Sequence, residues 1–193
     1  MNYLLNSHNQ RISPINETLN KILIDINNTK KIDKMRVLEV GIGNGNNSIL
    51  LSKKFASYYG IEPDKQVYEV LLKVSKDTKI KTYNYNLEQF ADKTLKKFHL
   101  IYLRNVIHFL DYDNFITICN KILKKNSYII IQNPQANPQR WGDNRLNVDS
   151  DEFDETIWLR TKNRLDKCYK TLLLDTRLIK YENDDRHHFF VLR

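Results

Sequence analysis

Three glycines alternate with other residues directly after a short apolar run, and this stretch constrains the fold more than any other. Residues 36–45 read RVLEVGIGNG. Val37, Leu38 and Val40 give the nearly continuous apolar run of a strand that is buried on both faces of a parallel sheet. Glycines allow positive φ angles and let the backbone approach a ligand closely. The stretch therefore predicts a strand, a tight loop and, from Ser48 to Phe55, a helix.

The spacing of the glycines separates this loop from two common nucleotide-binding loops. A dinucleotide loop has the pattern G-x-G-x-x-G, and its third glycine would fall on Asn46. A Walker-type phosphate loop ends in Gly-Lys-Ser/Thr, and no lysine follows the glycines here. Gly41, Gly43 and Gly45 form G-x-G-x-G instead. The spacing disfavours both a nicotinamide dehydrogenase and a Walker nucleotide site.

Residues 37–45, VLEVGIGNG, resemble the first motif of the class I S-adenosylmethionine (SAM) dependent methyltransferases at every position. That motif is hydrophobic-hydrophobic-acidic-hydrophobic-G-x-G-x-G. The resemblance implies an α/β fold, with a Rossmann-like, mostly parallel sheet of seven strands in the order 3-2-1-4-5-7-6. It further implies helices on both faces and a C-terminal antiparallel hairpin. The implied cofactor is SAM, and the implied product is S-adenosylhomocysteine.

The cofactor residues that the resemblance implies begin in the glycine loop. They are Glu39, Gly41, Ile42, Gly43, Asn44 and Gly45. Glu62 lies about 20 positions beyond the first glycine, where a carboxylate at the end of the second strand can accept both ribose hydroxyls. Pro63, which follows it, belongs to the same expected site. The alternative for Glu62 is a cap for the helix that begins near Asp64.

Two further pairs complete the expected cofactor site. After the third strand, Asn86 is expected to meet the adenine amino group and Leu87 to pack on the ring, with Asn84 as an alternative to Asn86. Arg104 and Asn105 follow the fourth strand, beside the topological switch point where open α/β sheets bind ligands. They are expected to contact the methionine moiety or the acceptor.

The candidate catalytic residues and most candidate acceptor contacts come from the same resemblance. Trp141 is a candidate because it lies in a long loop, and such loops are usually functional or disordered. SAM carries an activated methyl group, so many transfers need no strong catalytic residue. If a base is needed, His108, Asp111 and Tyr112 are the candidates, although His108 could equally be a packed, hydrogen-bonded side chain. The candidate acceptor contacts are Tyr3, Gln10, Arg11, His108 and Trp141. The alternative for residues 3–11 is a frayed terminus, and the alternative for Trp141 is packing on the surface.

The length of 193 residues predicts one domain over 1–193, with 1–28 as an N-terminal segment and covering helix. No apolar run approaches the roughly 20 residues that span a bilayer, and no signal peptide is recognisable. We therefore expect a cytoplasmic protein without a membrane partner. Cys119 and Cys168 lack metal-ligand spacing, and His187 and His188 point to opposite faces of a strand. The sequence predicts no metal site.

The formal net charge is +8, a moderate basic excess that includes lysines between residues 73 and 97. A solvated face is the favoured interpretation of these lysines, and a nucleic-acid stripe is the alternative. The favoured function is methyl transfer to an O or N atom of a small molecule such as a sugar, natural product or metabolite. A nucleic-acid or protein acceptor is the second interpretation, and a non-catalytic SAM-binding protein is the third.

Overall fold

The computed structural model describes residues 14–134, 178–183 and 187–192, and the statements below concern these ranges. Its helices are α1 (Glu17–Thr29), α2 (Ser48–Ser52), α3 (Lys65–Ser75), α4 (Leu87–Lys93) and α5 (Tyr112–Ile122). Its strands are β1 (Arg36–Val40), β2 (Ser57–Ile61), β3 (Ile80–Tyr83), β4 (Phe98–Arg104), β5 (Leu123–Pro134), β6 (Leu178–Asn183) and β7 (His187–Leu192). Short 3₁₀ turns at Ile32–Lys34 and Ile107–Phe109 precede β1 and follow β4.

The seven strands of the described ranges form one sheet in the order β3-β2-β1-β4-β5-β7-β6. Strand β1 pairs in parallel with β2 on one side and with β4 on the other. The pairs β2–β3 and β4–β5 are also parallel, whereas β7 is antiparallel to β5 and β6. The predicted fold class, including the strand order and the closing hairpin, is confirmed. The topological switch point lies between β1 and β4, where this type of sheet opens a crevice at its carboxyl edge.

Helices cover both faces of the sheet, which is why the central strands are apolar nearly throughout. Successive side chains of a strand point to opposite faces. Val37 accordingly packs in a cluster with Ile22 of α1 and Leu71 of α3, while Leu38 packs in a second cluster with Phe90 of α4 and Phe115 of α5. Because both faces of the central strands are packed against helices, the positions of the strand ends at the carboxyl edge are fixed by the core.

The helix α4, between β3 and β4, was not predicted from the sequence pattern. Its N-cap is Asn86, whose side chain accepts a hydrogen bond from Gln89 N at 2.8 Å, while Gln89 Oε1 accepts one from Asn86 N at 3.1 Å. This capping box satisfies backbone groups that a helix end leaves open. The helix is short because Thr94 already has extended backbone angles.

Other element boundaries differ modestly from expectation. Helix α2 ends at Ser52, three residues before the predicted end at Phe55, and β5 runs on through Asn133 and Pro134. The sequence pattern further predicts a loop over 133–150 and a helix over 151–174, and residues 135–177 lie outside the described ranges.

Candidate functional site

The glycine loop leaves β1 through three residues in the left-handed region. Gly41, Gly43 and Gly45 have φ angles of 67°, 62° and 79°, which side-chain-bearing residues adopt only at a cost. The loop is attached to the next strand, because the N–H groups of Gly41 and Ile42 both donate to Ile61 O, at 2.9 and 3.1 Å. The loop is therefore held over the ends of β1 and β2.

The surroundings of the three glycines differ. A Cβ atom on Gly41 would lie 2.7 Å from Val106 Cγ2, and one on Gly45 would lie 2.6 Å from Leu71 Cδ1. A Cβ on Gly43 would meet nothing within 4 Å. Two glycines thus permit close packing of the loop, while Gly43 borders open space. Gly43 is the place where a ligand can reach the loop backbone.

Two predicted loop residues use their side chains within the protein. Ile42 is 7% exposed. Its Cδ1 would lie 2.4 Å from a Cβ on Gly60, so the side chain packs against β2. The Asn44 side chain accepts a hydrogen bond from Asn46 N at 3.2 Å. The predicted contacts of Ile42 and Asn44 with a cofactor stay predictions.

Glu62 follows β2 and joins the glycine loop to the next turn. Its Oε2 accepts a hydrogen bond from Gly43 N at 3.0 Å, and its Oε1 accepts one from Asp64 N at 3.1 Å. Burial raises the pKa of Glu62, and the two backbone donors oppose this shift. A carboxylate has about four acceptor positions. The group therefore retains acceptor capacity for the two ribose hydroxyls that its sequence position predicts.

The alternative role of Glu62 as the cap of α3 is wrong. The N-cap is Asp64, whose Oδ1 accepts hydrogen bonds from Gln66 N and Val67 N at 2.8 and 3.0 Å. Pro63, between the two carboxylates, is exposed.

Glu39 lies beneath the loop rather than on its surface. The side chain is 2% exposed, and its Oε2 accepts hydrogen bonds from Ser48 Oγ and Tyr58 OH. Burial raises the pKa of Glu39 to about 7, although both hydrogen bonds and the charge of Arg104 act in the opposite direction. Because Ser48 is the first residue of α2, Glu39 fixes the far end of the glycine loop. A direct contact between Glu39 and a cofactor stays a prediction.

A narrow cleft opens at the carboxyl ends of β4 and β5. Arg104, Tyr102 and Gln132 line it from the sheet, and Asn16 and Asn47 line it from the starts of α1 and α2. Tyr102 OH donates a hydrogen bond to Gln132 Oε1. Arg104 Nε is buried and has no hydrogen-bond partner within the described ranges. Since buried donors are normally paired, this guanidinium is suited to an anionic group in the cleft.

Asn105, the residue after Arg104, has a φ of 55°. Its N–H donates to Gln132 O at 2.8 Å, which ties the exit of β4 to β5. A non-glycine residue in this region stores strain that is common at binding sites.

The predicted bases all lie on the segment that leaves β4. His108 is in the 3₁₀ turn Ile107–Phe109, Asp111 is exposed just before α5, and Tyr112 begins α5. Sequence reasoning did not single out Phe109, which is 77% exposed at this position and offers an apolar surface beside the carboxyl edge. The catalytic roles of His108, Asp111 and Tyr112 stay predictions.

The two asparagines after β3 have distinct positions. Asn84 Nδ2 donates to the backbone oxygens of Glu62 and Pro63 at 2.8 and 3.1 Å, so it supports the ribose turn. Asn86 caps α4. Leu87 is 4% exposed within the core, which leaves little of its surface for an adenine ring. The predicted adenine contacts of Asn86 and Leu87 are not tested by this geometry.

Several predicted residues lie outside the described ranges: Tyr3, Gln10, Arg11, Trp141 and Cys168. Cys119 is a free, buried thiol whose pKa is raised by burial. Within the described ranges, no group of three or more His, Cys, Asp or Glu side chains is placed to hold a metal ion. None of the helices described is long and apolar enough to cross a membrane.

Sequence reasoning missed the polar cluster below the site. Tyr58, Tyr102 and Gln132 are each at most 4% exposed in strands that are otherwise apolar. A hydroxyl or amide in such a strand is the available signal, because a buried polar group requires a partner. The partners could not be identified without the strand register.

Comparison with known proteins gives one family and one fold. The model of a family described as a methyltransferase domain matches residues 8–172. A comparison with curated proteins finds no match.

Solved structures with the same fold are distant in sequence. A SAM-dependent methyltransferase from Clostridium acetobutylicum is 13% identical with a TM-score of 0.65, covering 97% of this chain and 95% of that one. Magnesium protoporphyrin IX methyltransferase from Synechocystis, solved with bound SAM, is 10% identical with a TM-score of 0.58, covering 91% and 77%. TehB from Haemophilus influenzae is 16% identical with a TM-score of 0.57; the match covers 90% of this chain and 61% of TehB.

Proposed function

Because the chain belongs to the methyltransferase domain family, we propose that it transfers a methyl group from SAM to an O or N atom of a small molecule. The observation that carries the proposal is the bond between Gly43 N and Glu62 Oε2, at 3.0 Å. It places an open stretch of loop backbone beside a carboxylate with acceptor capacity, which is what a nucleoside with two free ribose hydroxyls requires.

The residues present fit SAM at both of its ends. Glu62 would accept the ribose hydroxyls, and the backbone at Gly43 would border the cofactor, because a Cβ there meets nothing within 4 Å. Asn86 and Leu87 would lie toward adenine. Arg104 would bind the carboxylate of the methionine moiety through the Nε that lacks a partner in the described ranges.

The bound cofactor supplies an activated methyl group as the electrophile. The protein then has to hold the acceptor atom in line behind the methyl carbon and exclude water. Phe109, exposed beside the carboxyl edge, offers an apolar wall for an acceptor. If the acceptor must lose a proton, His108, Asp111 and Tyr112 are the candidates on the segment after β4.

The small-acceptor proposal is supported by the connections that leave the carboxyl ends of β1, β2, β3 and β4, which are all short. One structural relative is named for a small molecule, magnesium protoporphyrin IX, whereas another is named for ribosomal protein L11. A nucleic-acid acceptor is the second candidate, favoured by the net charge of +8.

The experiment uses SAM labelled in its methyl group, offered with a metabolite mixture, with mixed RNA and with total protein in separate reactions. The proposal expects label in the low-mass fraction. Label confined to RNA or protein would replace the small acceptor with a macromolecule. Absence of label in all three reactions, from a protein that binds S-adenosylhomocysteine, would indicate a non-catalytic SAM-binding protein.

A further inference from the structure

A groove lined by aromatic rings lies on the sheet face that α4 covers, at the edge strand β3. Tyr59 of β2, Tyr83 of β3 and Tyr85 form a continuous series of stacked rings. The Tyr59 and Tyr83 centroids are 6.4 Å apart with planes within 5°, and the Tyr83 and Tyr85 centroids are 6.2 Å apart with planes within 15°. A cavity of about 250 Å³ adjoins these rings and the C-terminal end of α4. This cavity and its rings are called the tyrosine groove below.

Lysine ammonium groups surround the rings. Lys93 Nζ lies 4.3 Å from the centroid of Tyr85, and Lys81 Nζ lies 5.4 Å from that of Tyr59. Lys96 lines the same cavity. All three lysines are exposed. The ion pair found within the described ranges joins Lys121 to Asp92, so it leaves the charges of the groove lysines for another partner.

The segment that builds the groove is basic overall. Residues 76–97 contain six lysines and three carboxylates. Sequence analysis favoured a solvated face for these lysines on the ground that no aromatic residues were interleaved with them, although Tyr83, Tyr85 and Phe90 lie between Lys81 and Lys93. The fold changes that picture, since it places the tyrosine rings between the lysines of β3 and those at the end of α4.

The groove is separate from the candidate cofactor site. Tyr59 is in the middle of β2, paired with Lys81 of β3, and the cavity extends toward Lys96, just before β4 begins at its amino end. The cofactor residues lie at the carboxyl ends of the strands. The two sites adjoin at the end of β3, where Tyr83 O accepts a hydrogen bond from Glu62 N at 3.1 Å and Tyr85 lies between Asn84 and Asn86.

We propose that the tyrosine groove binds a base and the neighbouring phosphates of a single-stranded nucleic acid. Aromatic side chains are stacking surfaces for bases, and lysines beside them bind the backbone phosphates. The lysines are distributed from β3 to the end of α4, which suits an extended strand better than a single free nucleotide. Tyr59 is 2% exposed and forms the floor of the groove, whereas Tyr83 and Tyr85 are only partly buried. The exposed parts of these two rings suit a planar base better than an aliphatic chain. The site is independent of methyl transfer, so neither proposal depends on the other.

The test is fluorescence anisotropy with a labelled oligouridine of about ten nucleotides, using the full chain without SAM. Wild type should bind, and its affinity should fall as salt rises. The double variant Lys81→Ala/Lys93→Ala should bind about tenfold or more weakly, and the slope of log affinity against log salt should become shallower by about 1.4, for two lost phosphate contacts. Tyr85→Leu should weaken binding about fivefold or more without changing that slope.

The matched control is Lys21→Ala/Lys53→Ala, which removes two exposed lysines from α1 and from the end of α2, on the opposite face of the sheet. It should bind within about twofold of wild type. The proposal is overturned if wild type does not bind, if the control weakens binding as much as the groove variant, or if uridine monophosphate competes as well as the oligonucleotide. Unchanged unfolding midpoints and S-adenosylhomocysteine affinities will show that the variants are folded.

Discussion

The Glu62 carboxylate and the Gly43 amide are joined by a hydrogen bond of 3.0 Å, across 19 residues of chain. One carboxylate oxygen therefore positions the glycine loop, and the other holds Asp64 N in the turn before α3. These two hydrogen bonds fix the position of the glycine loop relative to the carboxylate that would bind a ribose. Preorganisation of this kind lowers the entropy that a ligand must lose on binding.

Gly43→Ala and Gly45→Ala should separate ligand binding from stability. Both changes put a side chain at positive φ, which costs roughly 1–2 kcal/mol. The Cβ on Gly43 faces open space, whereas the one on Gly45 would lie 2.6 Å from the buried Leu71. Gly43→Ala should lose S-adenosylhomocysteine affinity by about tenfold or more, while Gly45→Ala should lower the free energy of unfolding by a further 1–3 kcal/mol, roughly. Calorimetry and urea unfolding measure the two effects; an equal loss of stability in both variants would contradict the assignment.

Glu39 should make the protein less stable as pH rises. Its pKa is 4.5 ordinarily and about 7 in the fold, so between these values the folded state binds a proton that the unfolded state has lost. The free energy of unfolding should therefore fall by roughly 3 kcal/mol from pH 4.5 to 7. Glu39→Gln keeps an acceptor for Ser48 and Tyr58 but cannot ionise, and its stability advantage over wild type should grow through this range.

Urea unfolding of Glu39→Gln and wild type at several pH values measures that advantage. Glu69→Gln, which changes an exposed carboxylate of α3, is the control and should follow the wild-type curve. If the curves of Glu39→Gln and wild type stay parallel from pH 4.5 to 7, the buried carboxylate does not control the pH dependence.

Arg104→Met should weaken binding only of ligands that carry the methionine carboxylate. Loss of a charge-assisted hydrogen bond costs about 1.5–3 kcal/mol, which predicts at least about tenfold weaker binding of S-adenosylhomocysteine. The affinity for 5′-methylthioadenosine, which lacks the amino-acid part, should stay within about twofold. Arg36→Met, at the amino end of β1, is the control. Equal weakening of both ligands would contradict the assignment of Arg104 to the methionine carboxylate.

Asn86 should contribute to both the helix cap and the cofactor site. Asn86→Ala removes the acceptor for Gln89 N and should lower the free energy of unfolding by about 1 kcal/mol. Asn86→Asp keeps that acceptor and can accept from the adenine amino group, so both stability and S-adenosylhomocysteine affinity should be retained. Unchanged affinity in Asn86→Ala would restrict Asn86 to its capping role.

The sequence predicted the strand and the glycine turn because their residues are consecutive in the chain. The position of Glu62 at the end of the neighbouring strand followed from its spacing of about 20 residues from the first glycine, and its role toward SAM stays a prediction. The N-cap of α3 is Asp64 rather than Glu62. These two carboxylates are two residues apart, and sequence spacing does not distinguish positions that are so close.

Contacts between strands could not be predicted in the same way. The bonds of Glu39 with Tyr58 and of Tyr102 with Gln132 depend on the register of neighbouring strands. Arg36 N donates to His99 Nδ1 at 2.9 Å, which shows that His99 links the amino ends of β1 and β4. Helix α4 escaped prediction because its seven residues are shorter than the window over which a helical period is counted, although Leu87, Phe90 and Ala91 have helical spacing.

The most direct test of the cofactor site is calorimetric titration of wild type and Glu62→Ala with S-adenosylhomocysteine, with NADH as the control ligand. We expect micromolar binding by wild type, no binding of NADH, and a loss of about 100-fold or more in the variant, because two hydrogen bonds to a charged group disappear together. Absence of binding by wild type, or equal affinities of wild type and Glu62→Ala, would contradict the assignment of the glycine loop and Glu62 to SAM.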